Sequence, residues 1–213
     1  MSLTLHFHPL SSFCQKVLIA LYENDTPFER NIVNLMDPAE AAAFRKLWPC
    51  GQFPVIVDGG RAIPESTVII EHLDAHHPGK TRFIPHDPER ARQVRLKDRF
   101  YDWHLHLHMQ KVIGDKLRPQ DKRDPHGVEH ARAKMMTSLD MIDAEMASKT
   151  WAMGDAFTLA DCAAGPPLFY IDRAFGLGNT HKNAAAYLRR LTERPSYARA
   201  LDEAKPYLKL FPI

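Results

Sequence analysis

Near the start of the chain, Ser11-Ser12-Phe13-Cys14 sets two hydroxyls and a thiol just ahead of Val17, Ala20 and Leu21, whose spacing is helical. A serine hydroxyl has no useful nucleophilicity without a base, but it can donate a hydrogen bond to a thiolate that a substrate brings. Such a charge-assisted bond contributes about 1.5–3 kcal/mol, which lowers a thiol pKa by about one to two units. Starting from a free-thiol pKa of about 8.5, the ionised fraction at neutral pH rises from a few per cent to tens of per cent. Ser11 and Ser12 both qualify as donor, and both also read as ordinary N-cap residues. A second chemical word is Glu65-Ser66, placed before Val68, Ile69, Ile70 and Leu73. A helix beginning there offers first-turn amides and a positive dipole end to a carboxylate, although a plain serine cap beside an exposed acid explains the same residues.

His104-Leu105-His106-Leu107-His108 invites a metal reading, since i and i+4 histidines on a helix can chelate. No carboxylate or cysteine completes a convincing set, so the sequence predicts no metal site and no cofactor. Cys14, Cys50 and Cys162 are odd in number and widely spaced, which argues against a disulfide framework. Lys and Arg number 28 against 26 acids; a net charge of +2 gives no broad basic field, and no nucleic-acid partner is predicted. The opening Met1-Ser2-Leu3-Thr4 lacks a cationic leader, and no apolar run reaches the roughly 18 residues of a membrane span. The chain therefore reads as cytoplasmic.

The elements that must position these residues are legible in their periodicities. Leu3, Leu5 and Phe7 alternate as in a half-buried strand, and Ile32-Val33 lies in a second strand within 28–35. Asp37-Pro38-Ala39-Glu40 opens a helix with a capping residue, a first-turn proline and a closing acid. Phe53-Pro54-Val55-Ile56-Val57 is a strand, Asp58-Gly59-Gly60 a hairpin turn, Ala62-Ile63 the return strand, and Ser66 the cap of a helix ending near His77-Pro78-Gly79. After residues 78–87 the strand signals stop. A long helix is expected from Asp87-Pro88 to about Leu117, and another along Val128, Ala131, Met135, Leu139, Ile142 and Met146. A third begins at the Thr158-Leu159-Ala160-Asp161 capping box, and a last one fits Ala184 to Thr192.

In order and spacing, Ser11-x-x-Cys14, Phe53-Pro54-Val55-Ile56 after a Pro-x-Gly turn, Glu65-Ser66 and the Phe157-to-Asp161 box resemble the cytosolic glutathione transferases of bacterial type with a catalytic serine. The resemblance covers nearly the whole chain. It implies a thioredoxin-like α/β domain, βαβαββα, over residues 1–80 and an all-helical domain over 87–213. It also implies that Pro54 follows a cis bond and that glutathione, as co-substrate, adds like a strand to the Phe53 backbone, with Gln52 nearby. Ser66 then takes the γ-glutamyl carboxylate, Glu65 helps to receive the α-ammonium, and Ser11 is the catalytic group facing the sulfur. The second substrate is a small hydrophobic electrophile, with Leu10, Tyr101, Trp103, His104 and Phe211 as candidate wall residues. The protein is expected to be a homodimer.

Two rival readings share this fold. A thiol-disulfide oxidoreductase or isomerase would use the same turn, but here the attacking position holds Ser11 and the normally buried resolving position holds Cys14. The zeta-type isomerase pattern, Ser-Ser-Cys-Ser, is not matched by Ser11-Ser12-Phe13-Cys14. The other rival is a non-catalytic interaction protein, resembling the stringent starvation proteins that bind RNA polymerase or the transferase-like domains of translation factors. Retention of Ser11, Pro54, Glu65 and Ser66 together favours glutathione binding.

Overall fold

The computed structural model describes residues 3–212, which fall into two compact units. The first comprises the chain up to Phe83 together with Pro195–Tyr207, and the second comprises Ile84–Arg194 with the residues from Leu208 onward.

The first unit is built on a four-stranded sheet of β1 (Thr4–Phe7), β2 (Glu29–Ile32), β3 (Val55–Asp58) and β4 (Arg61–Pro64), in the order β2-β1-β3-β4. β1 and β2 are parallel and joined through α1 (Ser12–Glu23), whereas β3 and β4 run antiparallel to their neighbours. Alternation along β1 buries Leu3, Leu5 and Phe7 completely or nearly so. The β3–β4 link is a two-residue turn in which Gly59 and Gly60 have φ of 57° and 82°. That double left-handed geometry suits glycine and matches the twist of a tight hairpin.

α2 (Pro38–Leu47) starts at Asp37, whose carboxylate accepts from the Ala39 and Glu40 amides at 2.8 and 3.0 Å. Glu40 reaches back to the Asn34 amide at 2.7 Å rather than to the cap residue, so the box closes one loop further out than the sequence suggests. Phe44 of α2 packs on Val33 and Val55, with Phe53 and Leu47 at the margin. α3 (Ser66–His76) contributes Ile69, Ile70 and Leu73 to the core. Its cap is Glu65 and not the expected Ser66, which is the first helical residue.

α9 (Pro195–Ala204) belongs to this first unit although it follows the helical part of the sequence. Tyr197, Ala200 and Ala204 are buried along it. Ser196 donates to Glu23 at 2.8 Å, and Glu203 accepts from Tyr22 at 2.8 Å and from Arg30 at 2.7 Å. This helix lies beyond the one expected to be last, Ala184 to Thr192, and Pro195 occupies its first position, where a missing amide hydrogen costs nothing.

The second unit is helical: α4 (Pro88–Phe100), α5 (Leu107–Gly114), α6 (Pro125–Met146), α7 (Leu159–Phe175) and α8 (Lys182–Glu193). α4 and α5 are the long helix expected from Asp87 onward, interrupted by a π-helical stretch over Tyr101–His106. The stripe of α6 buries Ala131, Met135, Leu139, Ile142 and Met146 as its spacing requires. α7 is buried along nearly its whole length and is fixed at its start by the Thr158–Asp161 capping box. Asp161 is fully buried, yet it accepts from the Ala152 and Thr158 amides at 2.8 Å each and from the Tyr187 hydroxyl at 2.6 Å. Those bonds only partly oppose the desolvation, which pushes its carboxyl above the usual range.

Candidate functional site

Strand register brings three chain segments to one end of the sheet. His6 of β1 pairs with Val55 of β3, and Val55 pairs with Pro64 of β4. One step beyond these pairs lie the exit of β1 toward Ser11, the Phe53-Pro54 entry to β3, and the Glu65-Ser66 start of α3. The Phe53–Pro54 peptide bond is cis. Continuing the β1–β3 register sets Phe53 opposite His8, and their rings stack with centroids 6.2 Å apart. Lys16, buried in an early turn of α1, donates to Thr67 in the first turn of α3 at 3.0 Å, tying the two helix starts together.

Ser11 is the N-cap of α1, with extended backbone angles, φ −71° and ψ 123°. Its amide donates to the His8 carbonyl at 3.0 Å, which fixes the turn, and its Oγ accepts from the Cys14 amide at 3.4 Å. In that bond the oxygen is the acceptor, and the hydroxyl also bonds the Cys14 side chain, so serving an incoming group requires its hydrogen to turn away from Cys14. Ser12, the first residue of α1, is 8% exposed, so Ser11 is the more open of the two hydroxyls. Cys14 is fully buried, and burial pushes its thiol up to about 12, with hydrogen bonds from the Ser11 side chain and the His8 backbone only partly opposing it. It is a neutral thiol at physiological pH and cannot serve as a ready thiolate.

Glu65 has φ 70° and ψ 115°, a left-handed conformation that a residue with a Cβ adopts only at a cost of about 1–3 kcal/mol. Glu65 is exposed and follows Pro64, which the strand register places opposite Val55, so the α3 start lies at this same end of the sheet. The first amides of α3 precede its first intrahelical bond, from the Ile69 amide to the Glu65 carbonyl at 2.8 Å, and are the ones a helix cannot satisfy itself. Ser66 is buried there, and Gln52 is exposed on the turn before Phe53.

His8 belongs to this neighbourhood and was not singled out in the sequence. Its Nδ1 accepts from the Leu10 amide at 3.2 Å, its ring meets Tyr207 edge-on at 4.8 Å, and burial lowers its pKa. The signal for it was its place one residue past the Leu3-Leu5-Phe7 alternation, where the chain leaves the sheet.

Leu10 is half-buried beside Ser11 in the first unit. In the helical unit the candidate wall residues do not share a surface. Tyr101 is 1% exposed and hydrogen-bonded to Tyr187, so it is a core residue, because the π-helical turn rotates it inward. Trp103 and His104 point outward, Trp103 being 57% exposed, with the His104 ring 5.9 Å from Phe100. Phe211 packs against Tyr170 at 5.0 Å. His106 is buried while His104 is exposed, so the three histidines of this stretch do not share one face. Among the described residues no helix is long and apolar enough to cross a membrane.

Comparison with known proteins identifies the family. Residues 5–81 match the model of the glutathione S-transferase N-terminal domain, and residues 125–190 match that of the glutathione S-transferase C-terminal domain. A stringent starvation protein A homolog from Coxiella burnetii is 28% identical over 97% of this chain and 95% of its own length. The glutathione S-transferase GstB of Escherichia coli K12 is 26% identical over 87% of this chain and 91% of its own. A crystal structure of a glutathione S-transferase from Methylobacillus flagellatus KT with GSH bound superposes with a TM-score of 0.86 at 24% identity, covering 93% of this chain and 98% of that one. Both halves of the chain carry the same family's signature in the order the fold requires, and the protein belongs to the glutathione transferase family.

Proposed function

We propose that the protein is a glutathione transferase in which Ser11 stabilises the glutathione thiolate for attack on a small hydrophobic electrophile or hydroperoxide. The observation that carries this reading is the convergence of the Ser11 cap, the Phe53-Pro54 turn and the α3 start at one end of the sheet. In it, the Phe53 N–H and C=O pair with the cysteinyl backbone of glutathione beside Pro54, and Gln52 adds a side-chain contact. Ser66 and the first α3 amides hold the γ-glutamyl carboxylate, Glu65 the α-ammonium, and Ser11 Oγ donates to the sulfur. No cofactor is needed, because the sulfur is the nucleophile and the protein supplies only orientation and a donor. Leu10, half-buried beside Ser11, remains a candidate for contact with the electrophile.

The buried, neutral Cys14 ranks thiol-disulfide exchange below conjugation, since the exchange needs an accessible thiolate. A second reading, an interaction protein without turnover, is favoured by the similarity to the stringent starvation protein A homolog. One experiment separates them: capture on immobilised glutathione with elution by free glutathione, followed by a panel of electrophiles and hydroperoxides. Retention with turnover is expected. Retention without turnover of any substrate favours the interaction protein, and no retention removes the glutathione site.

A further inference from the structure

At the other end of α3 three potential ligands meet around one oxygen. Asp58 closes β3 at the Gly59-Gly60 hairpin, His72 lies in the second half of α3, and His77 caps its C-terminus, its amide held to the Leu73 carbonyl at 2.8 Å. His72 Nε2 and His77 Nε2 stand 2.9 and 2.7 Å from Asp58 Oδ2, and all three atoms lie within 4.8 Å of one another. The side chains are 17%, 32% and 18% exposed, so an ion from solvent can reach them while the protein still orients them. His76, one turn beyond His72, packs its ring 4.4 Å from it and limits its rotation. Arg61 faces Asp58 across the hairpin register but is exposed, and both imidazoles lie closer to a carboxylate oxygen than a bare ion pair requires.

We infer that Asp58, His72 and His77 form a binding site for a divalent transition-metal ion of the zinc type. Metal–ligand bonds of about 2.0–2.1 Å in tetrahedral geometry place neighbouring ligand atoms about 3.3 Å apart, so the two Asp58 edges need to open by about half an ångström while the His72–His77 edge, no longer than 4.8 Å, adjusts to the same spacing. Two imidazoles and one carboxylate suit zinc, copper or nickel and are too few and too nitrogen-rich for calcium or magnesium. On binding, each neutral imidazole carries its proton on Nδ1 and offers the Nε2 lone pair, while any protonated ring releases a proton. The negative end of the α3 dipole favours a cation at this end of the helix, and three protein ligands leave a fourth position for water. α3 rises about 16 Å along its length, so the ion sits far from Ser66 and serves to pin the hairpin to the end of α3. The sequence signal was His72-x-x-x-His76-His77 after Asp58-Gly59-Gly60; only tertiary contact joins the two.

The test uses the full chain without an affinity tag, titrated calorimetrically with zinc chloride and spectroscopically with cobalt(II). One saturable zinc per chain is expected, with a rise in Tm that EDTA reverses and with no competition from tenfold excess magnesium. His72→Gln, His77→Gln and Asp58→Asn should each weaken binding by at least about tenfold and reduce the visible cobalt bands, each loss being that of a direct ligand. His104→Gln with His108→Gln should leave both unchanged. Circular dichroism verifies that each variant is folded. Absence of saturable zinc binding by the wild-type chain, or binding that persists unchanged in the folded His72→Gln/His77→Gln variant, overturns the site and leaves a hydrogen-bonded cluster.

Discussion

In the proposed reaction Ser11 touches only the sulfur, whereas the Phe53 backbone, Glu65 and Ser66 hold the rest of the tripeptide. Ser11→Ala should therefore keep glutathione affinity within a few-fold while lowering conjugation by about 10²–10³. The pH profile is the sharper measurement. A donor to the thiolate lowers the thiol pKa, so wild-type kcat/KM should rise with an apparent pKa below that of free glutathione, and in Ser11→Ala that pKa should move up toward the free value. An unchanged profile in the folded variant would transfer the role to Ser12 or to a backbone amide. Ser11→Cys tests the same position in the opposite sense. It places a second thiol at a helix start beside Cys14, and a mixed disulfide with glutathione and a gain in disulfide reductase activity are expected. A folded variant that forms no mixed disulfide and gains no reductase activity would show that the turn does not have the register of a redox site, whereas a mixed disulfide that accumulates without reductase activity would show that the buried Cys14 does not resolve it. Glu65→Gly separates strain from recognition: glycine accepts the φ of 70° without the Cβ penalty, so Tm should hold or rise while glutathione affinity falls. A parallel drop in both would remove Glu65 from binding.

Among the helices, α7 depends most on a local polar device. Asp161 satisfies two amides and the Tyr187 hydroxyl inside an apolar surround, so its removal leaves several buried donors without an acceptor. Asp161→Ala should destabilise the protein by about 3 kcal/mol or more, which for a chain of this size lowers Tm by roughly 6–12 °C. Calorimetry of the variant checks this, and a change below about 1 kcal/mol would mean that water replaces the lost bonds. The stretch Tyr101–His106 shows the reverse case, in which a local departure from the α-helix turns Tyr101 into the core and Trp103 outward.

For the whole molecule, the proposed assembly is a homodimer with two-fold symmetry. Val68 on α3 and Leu96 on α4 are 52% and 58% exposed, and each is a residue that a two-fold interface on its helix would cover. Light scattering at micromolar concentration should return twice the chain mass, and Val68→Glu or Leu96→Glu should shift the population toward monomer. Monomer mass alone for the unaltered protein would remove the dimer.

The order βαβαββα followed by helices was legible because it rests on local periods, on turns such as Asp58-Gly59-Gly60 and on caps such as Asp37-Pro38 and Thr158-x-x-Asp161. These act within a few residues of themselves. The candidate glutathione site was legible in type but not in arrangement: Ser11, Pro54 and Ser66 carry chemical signatures, while their meeting at one sheet end depends on strand register. Three features lay beyond any local rule. Pro195 reads equally as the end of one helix or the start of another, and burial of Tyr197 and Ala200 in the first unit decided it. The left-handed Glu65 is imposed by the β4-to-α3 junction, since its side chain alone disfavours that conformation. Asp58 meets His72 and His77 only because the β-hairpin and the end of α3 pack together, a contact between residues distant along the chain that no spacing along it encodes.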